Sequence, residues 1–124
     1  MMDDRLARLR ESKAAYDAEK RAEAAAMHAA AEKARADGFE DGTTWALSLA
    51  EAEAGYEQLL RYCGNDPLTK ETSQPGMIAR GLAREVGHGV VVTDNQHVAD
   101  AYDRGFREGA QSVRDQVESG DEQA

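Results

Sequence analysis

A chain of 124 residues with 15 Lys and Arg against 24 Asp and Glu has a formal charge of −9 and room for one domain, or one small domain with an appendage. Ala supplies 23 of the apolar residues, while Leu, Ile, Val and Phe together number only 18, too few for a large monomeric core. No run of 18 apolar residues exists, which excludes a membrane-spanning helix, and one cysteine, Cys63, excludes an intrachain disulfide. A lone thiol suits a reducing compartment, so a cytoplasmic protein is expected. No secretory leader is expected either, because Met2 to Arg10 is charged throughout.

In chain order, residues 1–37 form an Ala-, Glu-, Lys- and Arg-rich segment with no Pro or internal Gly, the composition of a solvated helical arm. Asp3 or Asp4 can cap its start. Opposite charges four residues apart (Asp4 with Arg8, Lys13 with Asp17, Asp17 with Arg21, Lys33 with Asp37) support it. Its apolar stripe is thin: Leu6, Leu9, Tyr16 and Met27. Residues 38–118 read as a small helical domain and 119–124 as a flexible tail.

Within that domain, Gly38, Gly42, Trp45, Leu49, Ala52, Tyr56, Leu59 and Cys63 follow alternating steps of four and three, a seam predicting one helix that stops at Gly64-Asn65-Asp66-Pro67. Leu68 to Gln74 is polar and turn-rich. Met77 to Val86, with Ile78, Leu82 and Val86 one turn apart, predicts a short amphipathic helix ended by Gly87. Val90, Val91 and Val92 allow at most one short strand. Thr93 with Gln96, or Asp94, is a candidate cap for a last helix whose apolar face is Val98, Tyr102, Gly105, Phe106, Gly109, Val113 and Val117. The fold expected is all-α: a long N-terminal helix plus a small helical bundle.

Two segments match. Gly38-Phe39-Glu40-Asp41-Gly42 resembles Gly105-Phe106-Arg107-Glu108-Gly109, and the register places Ala34, Gly38, Gly42 and Ala46 opposite Ala101, Gly105, Gly109 and Val113. A helical Gly costs about 1 kcal/mol relative to Ala, so four of them need a structural return. Close approach of two backbones supplies it, with Phe39 and Phe106 flanking the contact.

Motifs of chemistry are sparse. His28, His88, His97 and Cys63 have no metal-ligand spacing, and Gly87-His88-Gly89 lacks the Lys of a phosphate loop, so no catalytic, cofactor or metal residue is assigned. Ile78 to Gly87 superficially resembles half of a helix-turn-helix. The would-be reading helix, however, opens with Asp94, Asp100 and Asp103, which phosphate repels, so direct DNA binding is not expected. Trp45 reads first as a core anchor and second as an interface residue; Tyr56, Glu40, Asp41, Glu51, Glu53 and Glu57 complete the candidate interface.

In composition (small, acidic, Ala-rich, helical, without a catalytic signature) the chain resembles the accessory and inhibitor proteins of phages and plasmids, anti-CRISPR proteins among them. That resemblance implies a non-enzymatic interaction module that binds and modulates a larger protein or nucleoprotein complex. Self-association through the Gly38–Cys63 seam makes a homodimer the expected state. The alternatives are a pocket between the Gly-bearing helices and the Gly87–Asp94 loop that sequesters an anion or nucleotide, and an acidic mimic of nucleic acid using Glu40, Asp41, Glu51, Glu53, Glu57, Asp103, Glu108 and Asp115.

Overall fold

The computed structural model describes residues 2–64 and 70–123, and helix dominates them. Helix α1 spans Met2–Ser48; a single 3-10 turn comes next at Leu49–Glu51, then α2 (Gly55–Gly64), α3 (Lys70–Ala79), β1 (Ala83–Val86), β2 (Val90–Thr93) and α4 (Gln96–Gln123). No helix among the described residues is long and apolar enough to cross a membrane. The chain divides into two units, one ending at Ala30 and the other beginning at Ala31.

The first unit is helix without a core. Leu6, Leu9, Tyr16 and Met27 are all exposed, so helix propensity and local charge pairs maintain it rather than burial. Lys13 meets Asp17 at 2.7 Å and Lys20 meets Glu23 at 3.3 Å. Asp17 is therefore engaged by Lys13 and not by Arg21, a choice that exposed side chains can make either way at little cost.

The second unit is organised by the matched glycines. Ala34, Gly38, Gly42 and Ala46 are the buried residues of α1, one per turn along a single ridge. A Cβ on Gly38 would collide with the carbonyl of Tyr102, and one on Gly42 with the carbonyl of Phe106. Reciprocally, a Cβ on Gly105 would collide with the carbonyl of Arg35, and one on Gly109 with that of Phe39. Rising numbers on α1 meet rising numbers on α4, so the two helices run parallel. In the matched register Arg35 corresponds to Tyr102 and Phe39 to Phe106, so the four contacts are two pairs related by a local two-fold axis. Polar contacts repeat the relation: Tyr102 donates to Asp41 Oδ2 at 2.6 Å, and Arg35 Nη2 donates to Glu108 Oε1 at 2.5 Å.

The flanking aromatics do not obey the symmetry. Phe106 is 3% exposed, enclosed by Trp45, Tyr62 and Tyr102 with ring centroids 5.8, 5.7 and 6.2 Å away. Phe39 is 43% exposed, because α2 and α3 cover one side of the helix pair and not the other. It therefore contributes its backbone to the contact and not its ring.

Several expected elements differ. The seam is not one helix: α1 ends at Ser48, and the chain turns through Ala54 at φ 56° before α2 begins. Ala is a good helix former, so its run concealed the break. The described part of the polar stretch, from Lys70, is helical, and Pro75 lies inside α3. The expected Met77–Val86 helix ends at Ala79 instead. Gly81, at φ 76°, closes α3 through Gly81 N–H to the Ile78 carbonyl (3.0 Å) and Leu82 N–H to the Met77 carbonyl (2.9 Å). Beyond Leu82 the chain forms an antiparallel hairpin pairing Ala83 with Thr93 and Val86 with Val90, so the described residues hold two strands where at most one was expected. Asn95, not Thr93 or Asp94, caps α4 by accepting the Val98 N–H at 3.2 Å. α4 then runs past Glu118 through Gln123. The expected stop signals Asn65, Asp66 and Pro67, and the first two residues of the expected polar stretch, Leu68 and Thr69, lie outside the described residues.

Candidate protein-interaction surface

The polar groups of the second unit divide into those used inside it and those left facing solvent. Asp41 belongs to the first group. Arg80, just past α3, donates to it from Nη2 at 2.6 Å and Nε at 3.1 Å, while Tyr102 of α4 donates to the same carboxylate. These hydrogen bonds hold the Asp41 carboxyl below its ordinary value, the Arg80 contact most strongly, against the opposing cost of its partial burial. Burial and the same bond push the Tyr102 phenol well above its ordinary range. Asp37 and Glu40 lie 3.5 and 3.8 Å from the same guanidinium. Gly76 makes the arrangement possible, since a Cβ there would strike the Tyr102 hydroxyl.

Asp103 is likewise internal: it is buried and accepts from Ser73 Oγ at 2.6 Å. Cys63 is buried at the end of α2, which pushes its thiol up and away from nucleophilic use, and Arg107 Nη2 donates to its carbonyl at 3.3 Å. Three of the carboxylates a nucleic-acid mimic would need, Asp41, Asp103 and Glu108, are thus committed to contacts within the chain.

A cleft of about 350 Å³ lies between α3, β2 and α4, lined by Gln74, Met77, Val91, Thr93, Gln96 and Asp103 among others. The charged group in its wall is a carboxylate, the wrong sign for an anion. The contact between the Gly-bearing helices at Gly38, Gly42, Gly105 and Gly109 is filled by backbone. No group of three or more His, Cys, Asp or Glu placed to hold a metal occurs among the described residues.

A polar hollow of about 540 Å³ lies along α4, lined by Glu108, Gln111, Ser112 and Asp115 among others, and a smaller hollow is apolar. Ala46 and Leu47 at the end of α1, Leu49 and Gly55 across the turn, Tyr56 and Leu59 of α2, and Val113 and Val117 of α4 line a shallow hollow of about 200 Å³. Leu47 is 59% exposed, Tyr56 44% and Val117 42%. The Ala54 turn builds the hollow by folding α2 back; a Cβ on Gly55 would strike the Leu49 carbonyl. The same stretch of chain carries exposed Glu51, Glu53 and Glu57, of which Glu57 accepts from Arg61 at 3.1 Å, and Tyr56 donates at 3.1 Å to Glu118, which lies 4.0 Å from Arg114.

Of the sequence-derived interface candidates, Tyr56 lines this hollow, while Glu51, Glu53 and Glu57 are exposed in the same stretch of chain. Asp41 is engaged by Arg80, and Glu40 stands beside it. Trp45 is half-buried and packs edge-on to Tyr62 with centroids 4.9 Å apart, so it anchors the core rather than standing free as a contact residue. Leu47 was missed, because it lies off the seam; an apolar residue out of phase beside a helix end is the signal that marks it. The expected self-pairing seam is occupied within the chain, since Gly38, Gly42, Leu59 and Cys63 are buried against other elements. No known protein family matches the chain, and neither does any curated protein or solved structure.

Proposed function

We propose that the chain is a non-enzymatic protein-interaction module, which docks a basic and apolar segment of a larger protein or nucleoprotein complex on the face formed by Leu47, Tyr56 and Val117, and modulates the partner by occupying that segment. The observation that carries the reading is the hollow itself, lined by the exposed apolar side chains of Leu47, Tyr56 and Val117, in a segment that also carries exposed Glu51 and Glu53. Exposed apolar hollows with a charged border are the usual composition of docking sites. The aliphatic centre supplies affinity, while the exposed Glu51 and Glu53 select a cationic partner and speed encounter.

Affinity capture with the wild-type chain and with a Leu47→Glu, Val117→Glu variant tests it. The captured protein is identified by mass spectrometry, purified, and rebound in reconstitution. The wild type is expected to bind it and the variant to lose it. Glu53→Lys with Glu57→Lys should slow association about tenfold or less, the span usual for rim charges. Equal binding by wild type and variant would refute the reading.

A further inference from the structure

The local two-fold axis of the α1–α4 pair relates two grooves, and the chain covers one of them. Asp41, Thr44, Trp45 and Ser48 of α1 line a hollow of about 320 Å³ whose other walls are Phe106 and the Thr72, Pro75 and Gly76 of α3. In the matched register those four α1 residues correspond to Glu108, Gln111, Ser112 and Asp115, which line the polar hollow of about 540 Å³. Phe106 corresponds to Phe39, and Tyr102, the cross-helix donor to Asp41, corresponds to Arg35, the cross-helix donor to Glu108. The lining residues of the larger hollow all belong to α4, so it has a floor and no counterpart of α3. The largest chemical difference across the axis is at Trp45, whose counterpart is Ser112. Trp45 packs 5.8 Å from Phe106, whereas Phe39 is 43% exposed beside the smaller side chain.

We infer that the open groove docks an amphipathic helix of another protein, which lies where α3 lies on the opposite side and brings an aromatic side chain into the space over Ser112 and against Phe39. The covered groove defines this occupant. There the chain supplies the indole itself, and α3 needs only small residues at the contact, such as Gly76. Here the chain supplies Ser112, so the ring has to come from the partner. Arg80 reaches Asp41 one turn beyond Gly76, so a donor one turn from the partner's ring reaches Glu108. Glu108 then takes a second donor beside Arg35, as Asp41 takes Arg80 beside Tyr102. Glu108 already has Arg35, and Asp115 has Arg114 at 3.3 Å, so the ring and the shape of the groove select the partner more than net charge does. An aromatic anchor seated in a groove with a polar border is the usual form of helix recognition. No residue lines both this groove and the hollow of Leu47, Tyr56 and Val117, so the two surfaces are independent.

A peptide titration of the full-length chain, followed by amide NMR spectra, tests it. The probe is a synthetic Ala- and Gln-based helix carrying one Trp and, four residues later, one Arg; the control peptide has Ala in place of the Trp. The probe is expected to shift Phe39, Gln111, Ser112 and Asp115, and the control to leave them in place. Ser112→Trp fills the groove with the chain's own indole, and Phe39→Ala removes the ring that the probe meets; each should weaken binding about tenfold or more. Phe39 is exposed, so its variant keeps the fold and reports on binding alone. Equal binding of probe and control overturns the inference, as does a Phe39→Ala variant that binds like the wild type. Shifts confined to Leu47, Tyr56 and Val117, or none at millimolar peptide, overturn it too. Concentration-dependent shifts at Phe39 and Ser112 in the protein alone would overturn it in favour of a second copy as the occupant.

Discussion

Gly38-Phe39-Glu40-Asp41-Gly42 and Gly105-Phe106-Arg107-Glu108-Gly109 make the same backbone contact and live in different surroundings. Each Gly pair admits the carbonyls of the other helix, and each segment closes one cross-helix hydrogen bond, at Asp41 and at Glu108. Around Phe106 lie Trp45, Tyr62 and Tyr102; around Phe39 lies solvent. The repeated pattern thus specifies how two helices meet, and the elements added on one side decide which aromatic becomes core. Backbone proximity and side-chain burial are separate properties of the same motif.

The largest effect should come from breaking the part the segments share. Gly42→Leu or Gly109→Leu has to displace backbone, not a flexible side chain, and should cost about 3 kcal/mol or more, or abolish folding, despite the better helix propensity of Leu. Gly120→Ala is the control: nothing lies near its Cβ position, so chemical denaturation should show stability unchanged or raised by up to about 1 kcal/mol. The part they do not share comes next. Phe106→Ala should destabilise by about 3–5 kcal/mol and Phe39→Ala by less than about 1 kcal/mol in the same assay.

The two polar contacts also differ, since Asp41 has Arg80 in addition to its cross-helix donor. Its folded-state carboxyl titrates below the unfolded value of about 3.9, so its contribution to stability is complete above that value and is lost as pH falls through the folded one. Asp41→Asn should therefore lower the melting temperature at pH 7, and the deficit should shrink steadily below about pH 4. A deficit unchanged down to about pH 2 would mean that packing, and not the charge, is what Asn disturbs. The smallest effect belongs to the arm: Leu6→Ala and Leu9→Ala, measured in dilute solution, should change stability by about 0.5 kcal/mol or less.

Much of the helix pairing was legible because it is written in local steps. Glycines four apart are costly, and two copies in one phase with buried neighbours leave close approach as the economical explanation. The α4 face was legible for the same reason, from Val98 through Val113. The hairpin was not. Ile78, Leu82 and Val86 have the spacing of a helix, and only Gly81 and the run Gly87-His88-Gly89, all at positive φ, reveal that the chain reverses instead. The break at Ala54 was hidden by a residue that favours helix. Asp41 read as a surface acid because Arg80 and Tyr102, which engage it, lie 39 and 61 positions away, beyond the reach of any periodicity. The apolar hollow depends on the turn at Ala54, which is why the sequence could not place Leu47, off the seam, beside Tyr56 and Val117.

On the proposed reading, binding takes place at the apolar face of Leu47, Tyr56 and Val117 and not at the cleft beside Asp103. Hydrogen exchange read by mass spectrometry, comparing the full chain alone in dilute solution with the same chain in its reconstituted complex, measures this directly. Added protection is expected in peptides covering Leu47–Leu60 and Val113–Glu118, with Gln74–Gln96 unchanged. Protection that instead appears around Gln74, Val91 and Gln96, leaving Leu47–Leu60 as it was, would contradict the account.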